Sequence, residues 1–161
     1  MPISSLLRPI DQQLFDQLTT AAAASPRRRL NHNFHATPTD PCQRFLNALL
    51  PDSYVRPHRH LECEETLLVL RGAIGVLLFD EAGGLTATVR LEAGGQVGMA
   101  LAANVFHSLV VLGAPAVIFE CKDGPYRPLV TEEWAAWAPQ EGRAAAVDYL
   151  AWMRGQFAEV I

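Results

Sequence analysis

Apolar residues recur along this chain at two spacings, which divide it into parts of different character. Leu14, Phe15, Leu18 and Ala22 fall at helical intervals, and Pro9 with Asp11 just before them suits a helix start. A helix is therefore expected over Asp11 to Ala24. Pro26, Pro38 and Pro41 then bound a short strand at Leu30–His35, and "CQRFLNALL", Cys42 to Leu50, is expected as a second short helix ending at Pro51. Beyond Tyr54 the punctuation changes to short runs rich in Val, Leu, Ile and Phe, bounded by Gly, Pro or Asp. These predict strands at Tyr54–His60, Glu65–Leu70, Ile74–Phe79, Leu85–Leu91, Val97–Leu101, Val105–Leu112 and Ala116–Lys122, with "DEAGG" as a hairpin loop. A closing helix is expected with Val147, Leu150, Ala151 and Phe157 on one stripe.

Short strands with a turn signal every eight to twelve residues, and no helix between them, predict an antiparallel sandwich or barrel. A length of 161 residues is that of one domain. Its expected parts are a helical N-terminal cover over 1–50, a barrel core over 51–130 and a C-terminal segment with its helix over 131–161.

Composition narrows the function classes. An apolar fraction of 50% with 19% charged residues belongs to a packed globule. A formal charge of -4 leaves no electrostatic footprint for nucleic acid, and the run Arg27-Arg28-Arg29 is too short to change that. No apolar run approaches the roughly eighteen residues of a membrane span, and Pro9 and Asp11 interrupt any signal-peptide core, so the cytoplasm is the expected compartment. Cys42, Cys63 and Cys121 form no CxxC pair and are expected as reduced thiols.

The chemistry concentrates in "YVRPHRHLECEETLLVLRG", Tyr54 to Gly72. Alternate residues of a strand share a face, so Tyr54, Arg56, His58 and His60 would point the same way, and two imidazoles could converge on one ion. The bland reading is an edge strand with two exposed histidines, which Pro57 permits because it cannot donate to a central ladder. Spacing favours the ion: four residues separate His60 from Glu65, six more lead to Gly72, and His107 follows in "NVFHSLVVL".

This layout resembles the cupin superfamily, whose first motif runs G-x5-H-x-H-x(3,4)-E-x6-G and whose second runs G-x5-P-x-G-x2-H-x3-N. The second motif is degraded here. Gly95 opens it with one residue of slack and His107 matches, but Ala102 replaces the proline, Asn104 the glycine and Val111 the final asparagine. Asn adopts the left-handed backbone nearly as readily as Gly, so the turn before His107 can survive. A closer resemblance covers Ser25 to Gly142. "SPRRRLNHNFH", "DPCQRFLNALLPDSYVRPHRH", "VLRGAIGVLLFD", "KDGPYRPL" and "WAAWAPQEG" are similar, in this order, to the WbuC-type cupin-fold metalloproteins, a small bacterial family associated with surface-polysaccharide gene clusters.

The resemblance implies a cupin-type jelly-roll barrel in which His58, His60, Glu65 and His107 hold one divalent ion. Three imidazoles and a carboxylate suit Fe, Zn, Mn, Ni or Co rather than Ca or Mg, and four protein ligands leave open positions on an octahedral ion. Parity nominates Arg56 and Tyr54 for the substrate: a guanidinium at the mouth would clamp an anion bidentately, unless Pro57 introduces a bulge that turns Arg56 to the surface. His32 and His35 are expected to satisfy backbone groups at a strand end, Cys63 to act as a small hydrophobe, and Trp134, Trp137 and Trp152 to be core or dimer contacts. Three functions follow: a metalloenzyme acting by Lewis-acid isomerisation, epimerisation or hydrolysis on a small anionic substrate such as a sugar intermediate; a ferrous dioxygenase; and a non-catalytic sugar-binding or sensor cupin. A homodimer is expected, because open sheet edges are commonly covered by a second subunit.

Overall fold

The computed structural model describes residues 7–158. The ends of the expected single-domain span, 1–6 and 159–161, lie outside the described residues. In chain order the described elements are α1 (Gln12–Ala24), β1 (Arg29–Asn33), β2 (Cys42–Leu49), β3 (Glu65–Arg71), β4 (Ala73–Phe79), β5 (Leu85–Glu92), β6 (Gly98–Leu101), β7 (Phe106–Val111), β8 (Ala116–Asp123), a 3-10 turn (Thr131–Glu133) and α2 (Ala145–Gly155). The strands form two antiparallel sheets, ordered β1-β2-β8-β3-β6 and β5-β4-β7. This is the expected jelly-roll class, with a helix at each end of the chain.

Each strand contributes one face to the space between the sheets. Leu49, Leu67, Val69, Ile74, Val76, Leu109, Val111 and Ile118 pack there as the inner core. The outer faces are covered too. Phe15, Leu18 and Ala22 of α1 pack on Leu46, Ala48 and Val117, while Ala146, Leu150 and Met153 of α2 pack with Leu77, Phe79 and Val110. Strands covered on both faces lose the polar alternation of a half-exposed strand, which is why β4 reads "AIGVLLF". Gly75 on its outer face leaves room for Phe157, whose ring would meet an added Cβ at 2.4 Å.

Three expectations need correction. "CQRFLNALL" is no helix: Cys42–Leu49 is β2, hydrogen-bonded to β1 on one side and β8 on the other. Its apolar positions, Phe45, Leu46, Ala48, Leu49 and Leu50, fit a buried helix as well as a doubly covered strand, and only the neighbours decide. The N-terminal fifty residues are thus a helix plus two strands of the larger sheet. Tyr54–His60 is extended but is no regular strand, since its ladder bonding is confined to bridges from His58 to His107 and Trp134. On α2, Leu150 is buried as expected, but Val147 is 69% exposed and the buried stripe is Ala146, Leu150 and Met153.

Candidate metal centre and its cavity

The inner face changes chemistry along its length. On β8, Ala116 and Ile118 are core, while the next inward positions are Glu120 and Lys122. On β7, Val111 and Leu109 lead to His107; on β3, Val69 and Leu67 lead to Glu65. On β2, Leu49 gives way to Asn47, Phe45 and Gln43. One end of the sandwich is therefore apolar core, and the other is a cavity of about 910 Å³ with polar walls.

The His58 segment reaches this cavity by running beside β7. His58 N–H donates to His107 O at 3.0 Å and His107 N–H donates to His58 O at 2.8 Å. Its far side is held by the residues around the 3-10 turn: Arg59 N–H donates to Glu133 O (2.9 Å), Leu61 N–H to Glu133 Oε1 (3.0 Å) and Ala135 N–H to Pro57 O (3.1 Å). Glu133 is fully buried and accepts two bonds from Arg127, at 2.7 and 2.9 Å, which hold its carboxyl well below the usual range against the opposing effect of burial.

His58, His60 and His107 each bring one ring nitrogen within 4.8 Å of the others. Two of the rings are fixed from behind. His58 Nδ1 meets Arg56 O and His107 Nδ1 meets Val105 O, both at 2.9 Å, so with Nδ1–H donating to a carbonyl each ring turns an Nε2 lone pair inward. Burial, followed by the neighbouring His107, holds His58 down to about 3; burial and then Lys122 hold His60 down to about 4. Both are neutral donors at physiological pH, the form a divalent ion requires.

Glu65 Oε2 lies 3.4 Å from His107 Nε2 and 4.0 Å from His60 Nε2. Burial acts to raise its carboxyl, but His107 and Lys122 beside it prevail and keep it ionised. Lys122 stands directly opposite Glu65 in the β3–β8 ladder, and its Nζ reaches His60 Nε2 at 3.2 Å and Glu65 Oε1 at 3.4 Å. Deeper along β8, Glu120 accepts from Asn47 Nδ2 at 3.0 Å, and burial followed by the charge of Glu65 pushes it up to about 8. It holds a proton at neutral pH, beside a carboxylate that does not. The sequence reading missed Glu120 and Lys122, although two charged residues two apart in an apolar strand, "IFECKD", are the trace an inward polar pair leaves.

Arg56 lines the cavity near His58, with Nη2 donating to Ala135 O at 2.7 Å and its guanidinium 5.3 Å from the Trp134 ring. Tyr54 does not join it. Its ring packs with Leu77 and Phe79 outside the cavity, and its hydroxyl donates to Pro139 O at 2.8 Å. Parity slips because no ladder holds Tyr54–Pro57 in regular pleat; Val55 lines the cavity instead. His35 Nδ1 accepts from Arg44 N–H at 3.1 Å, a backbone role as expected. Cys63 lines the cavity and burial pushes its thiol up, while Cys42 and Cys121 are free thiols on the outer surface with sulfurs 3.6 Å apart. Trp134 is a cavity wall; Trp137 packs against Phe79 with tilted rings whose centroids are 4.9 Å apart; Trp152 is 41% exposed.

The sequence profile of a family described as "Domain of unknown function (DUF6016)" matches residues 10–91. No curated protein sequence matches the chain. Among solved structures, TT1209 from Thermus thermophilus is similar with a TM-score of 0.53 and 16% identity, over 73% of this chain and 97% of that one. KdgF from Halomonas sp. follows at 0.50 and 18%, over 64% and 84%, and the Cnp3 cupin domain of Schizosaccharomyces pombe at 0.50 and 9%, over 60% and 64%. At these identities the likeness concerns the fold alone, a cupin-type jelly roll.

Proposed function

The chain belongs to the family described as a domain of unknown function (DUF6016), a description that names no activity, and we propose that it is a metal-binding cupin enzyme acting on a small anionic substrate. The observation that carries this reading is the pair of backbone-anchored imidazoles, His58 and His107, whose inward nitrogens converge with that of His60 at the wall of an open cavity. The donor set fits a divalent transition ion such as Fe, Zn, Mn or Ni: three imidazoles, with the Glu65 carboxylate beside two of them.

When bound, such an ion would supply Lewis acidity, polarising a substrate oxygen. The chain's own residues supply the rest. Arg56, and cationic groups around the cavity such as Arg29 and Lys122, favour a carboxylate or phosphate, and Glu120 Oε holds a proton within the same enclosure. A carboxyl whose pKa burial and Glu65 push upward, in the same cavity as the donor set, supports an enzyme with a resident proton donor, and isomerisation or epimerisation is the reading that would use it. The resemblance to WbuC-type cupins supports a sugar intermediate of surface-polysaccharide biosynthesis as the substrate, and we propose a cytoplasmic setting. The exposed Leu68 and Val97 beside the edge strand β6 support a homodimer, which sedimentation equilibrium would test against a mass near that of one chain. Among the described residues no helix is long and apolar enough to cross a membrane.

Elemental analysis of protein purified without added metal tests the central claim. One equivalent of a first-row metal is expected, lost in His60→Ala and in His107→Ala. Wild-type stoichiometry in either variant would defeat the site as described.

A further inference from the structure

Lys122 presents its ammonium to the two groups whose lone pairs an ion would need. Nζ is 3.2 Å from His60 Nε2 and 3.4 Å from Glu65 Oε1. An ammonium has three donors and no acceptor, so the contact with His60 is a bond donated to the imidazole lone pair. Among the described residues no ammonium or guanidinium bonds to the His58 or His107 ring; behind the site both rings meet backbone carbonyls, and His107 Nε2 faces Glu65 Oε2 at 3.4 Å. The position is built rather than incidental. Lys122 faces Glu65 across the ladder, and its neighbour on the other side, β2, offers Gln43 in register and the Phe45 ring 5.8 Å from Nζ.

We propose that Lys122 is an internal cation that competes with the metal for His60 and Glu65, and that metal entry turns its ammonium into the cavity as an anion-binding group. This rests on the metal-binding reading above. The lone pair of His60 Nε2 cannot serve a metal and accept from an ammonium at once, and a divalent cation a few ångströms from an ammonium is repelled by it. Once turned away, the ammonium has lost its carboxylate partner, and an anion in the cavity is the counter-charge that restores balance. Metal and anion are thereby coupled. By reciprocity, whatever factor the metal adds to anion affinity the anion adds to metal affinity. A substrate anion would then tighten the hold on the ion at the moment it arrives, and its departure would loosen it.

The test is Zn2+ affinity, measured by competition with a chromophoric chelator, in wild type, Lys122→Met and Lys122→Arg, with sodium sulfate added at constant ionic strength. Lys122→Met should bind Zn2+ about tenfold tighter or more, because the competitor and its charge are gone. Lys122→Arg, which keeps the charge, should stay near wild type. Sulfate should tighten Zn2+ in wild type by a clearly larger factor than in Lys122→Met, where Arg56 remains but the displaced ammonium is gone. Should Lys122→Met fail to fold, as judged by its circular dichroism, Lys122→Gln carries the same expectation. Equal or weaker Zn2+ binding in the neutral variants, with wild type still binding, overturns the competition and leaves the metal site standing. A tighter neutral variant with no sulfate effect in wild type, or with the same sulfate effect in both, overturns the anion coupling through Lys122. Absence of Zn2+, Mn2+ and Fe2+ binding from every form overturns both this inference and the reading beneath it.

Discussion

His58 and His107 exchange both of their backbone hydrogen bonds, at 3.0 and 2.8 Å, and their ring centroids lie 4.6 Å apart. The first histidine is therefore placed by the strand that carries the third. An irregular loop gains the register of a sheet at the one residue where register matters, because His107 is locked in turn to Leu78 in β4. His60 lacks such pairing within a strand. It is steadied through Asn104 N–H, which donates to His60 O at 2.7 Å.

The other flank of this segment depends on Glu133, which accepts from Leu61 N–H, Val130 N–H and Arg127. Glu133→Ala orphans two backbone donors and the guanidinium. Because Arg127 is 42% exposed, water compensates part of the loss. A destabilisation of about 1–3 kcal/mol is expected from the unpaired donors, with looser Zn2+ binding as His58 and His60 lose their backing. Thermal unfolding with and without Zn2+ checks it: if the two melts shift equally, Glu133 supports the fold but not the site.

Acidity should act in two opposed ways on chelator-treated protein. His58 and His60 titrate near 3 and 4 in the fold, against about 6.5 when unfolded, so the unfolded chain binds more protons in that interval. Stability is then lost as pH falls from about 6.5 towards 4, by up to roughly 1.4 kcal/mol per pH unit for each ring. Glu120 has the reverse sign. Its carboxyl, pushed up to about 8, contributes stability that is fully present below its unfolded value and is lost as pH rises through 8. A stability maximum between about pH 6 and 7 follows from these two trends. Melting across pH 4–9 measures both limbs: His58→Gln with His60→Gln should flatten the acid limb, and Glu120→Gln the alkaline one.

Two turns hold the strands that carry Glu65 and His107 in place through left-handed backbone. Gly72, at φ 75°, follows β3, and a Cβ there would approach Pro115 O at 2.9 Å. Gly72→Ala should cost about 1–3 kcal/mol. Asn104 takes φ 64° three residues before His107, where the cupin motif has glycine. Asn104→Gly should therefore preserve both fold and Zn2+ binding, whereas Asn104→Val should lose stability by a similar amount and weaken Zn2+. Chemical denaturation and chelator competition on the three variants measure these effects; an unperturbed Asn104→Val would show that the turn has no bearing on His107.

Much of this was legible in the residues. The turn at Asn104 follows from its tolerance of positive φ, and β3 to β8 follow from Gly, Pro and Asp punctuation around runs rich in Val, Leu, Ile and Phe. What failed has a common cause. β2 reads as a helix because both of its faces are buried, Tyr54 turns away because no ladder enforces pleat on its segment, and Lys122 escapes notice because its partners come from β3 and from the His60 loop. In each case the deciding contact is to a strand distant in sequence, which local periodicity does not encode.

Arg56 offers a last measurement, because its surroundings separate two roles that charge alone would merge. One guanidinium nitrogen is occupied by Ala135 O at 2.7 Å, and the group lies 5.3 Å from the Trp134 ring, a wall of the cavity. The planar head is thus oriented before any ligand arrives, and the cost of fixing a long side chain is already met in the folded protein. An anion that meets it gains a positioned donor set rather than a mobile charge. Lysine in its place would keep the charge, but it lacks the fork and would hold one position less firmly. Arg56→Lys should then bind phosphate and sugar phosphates several-fold more weakly than wild type in calorimetric titration, and Arg56→Ala about tenfold or more. A stability loss of about 0.5–1 kcal/mol in Arg56→Ala is expected from the lost contact with Trp134, so titrations are run well below its melting temperature. Any anion that binds wild type and Arg56→Ala equally would remove Arg56 from recognition and leave it a fastening between the His58 segment and Ala135.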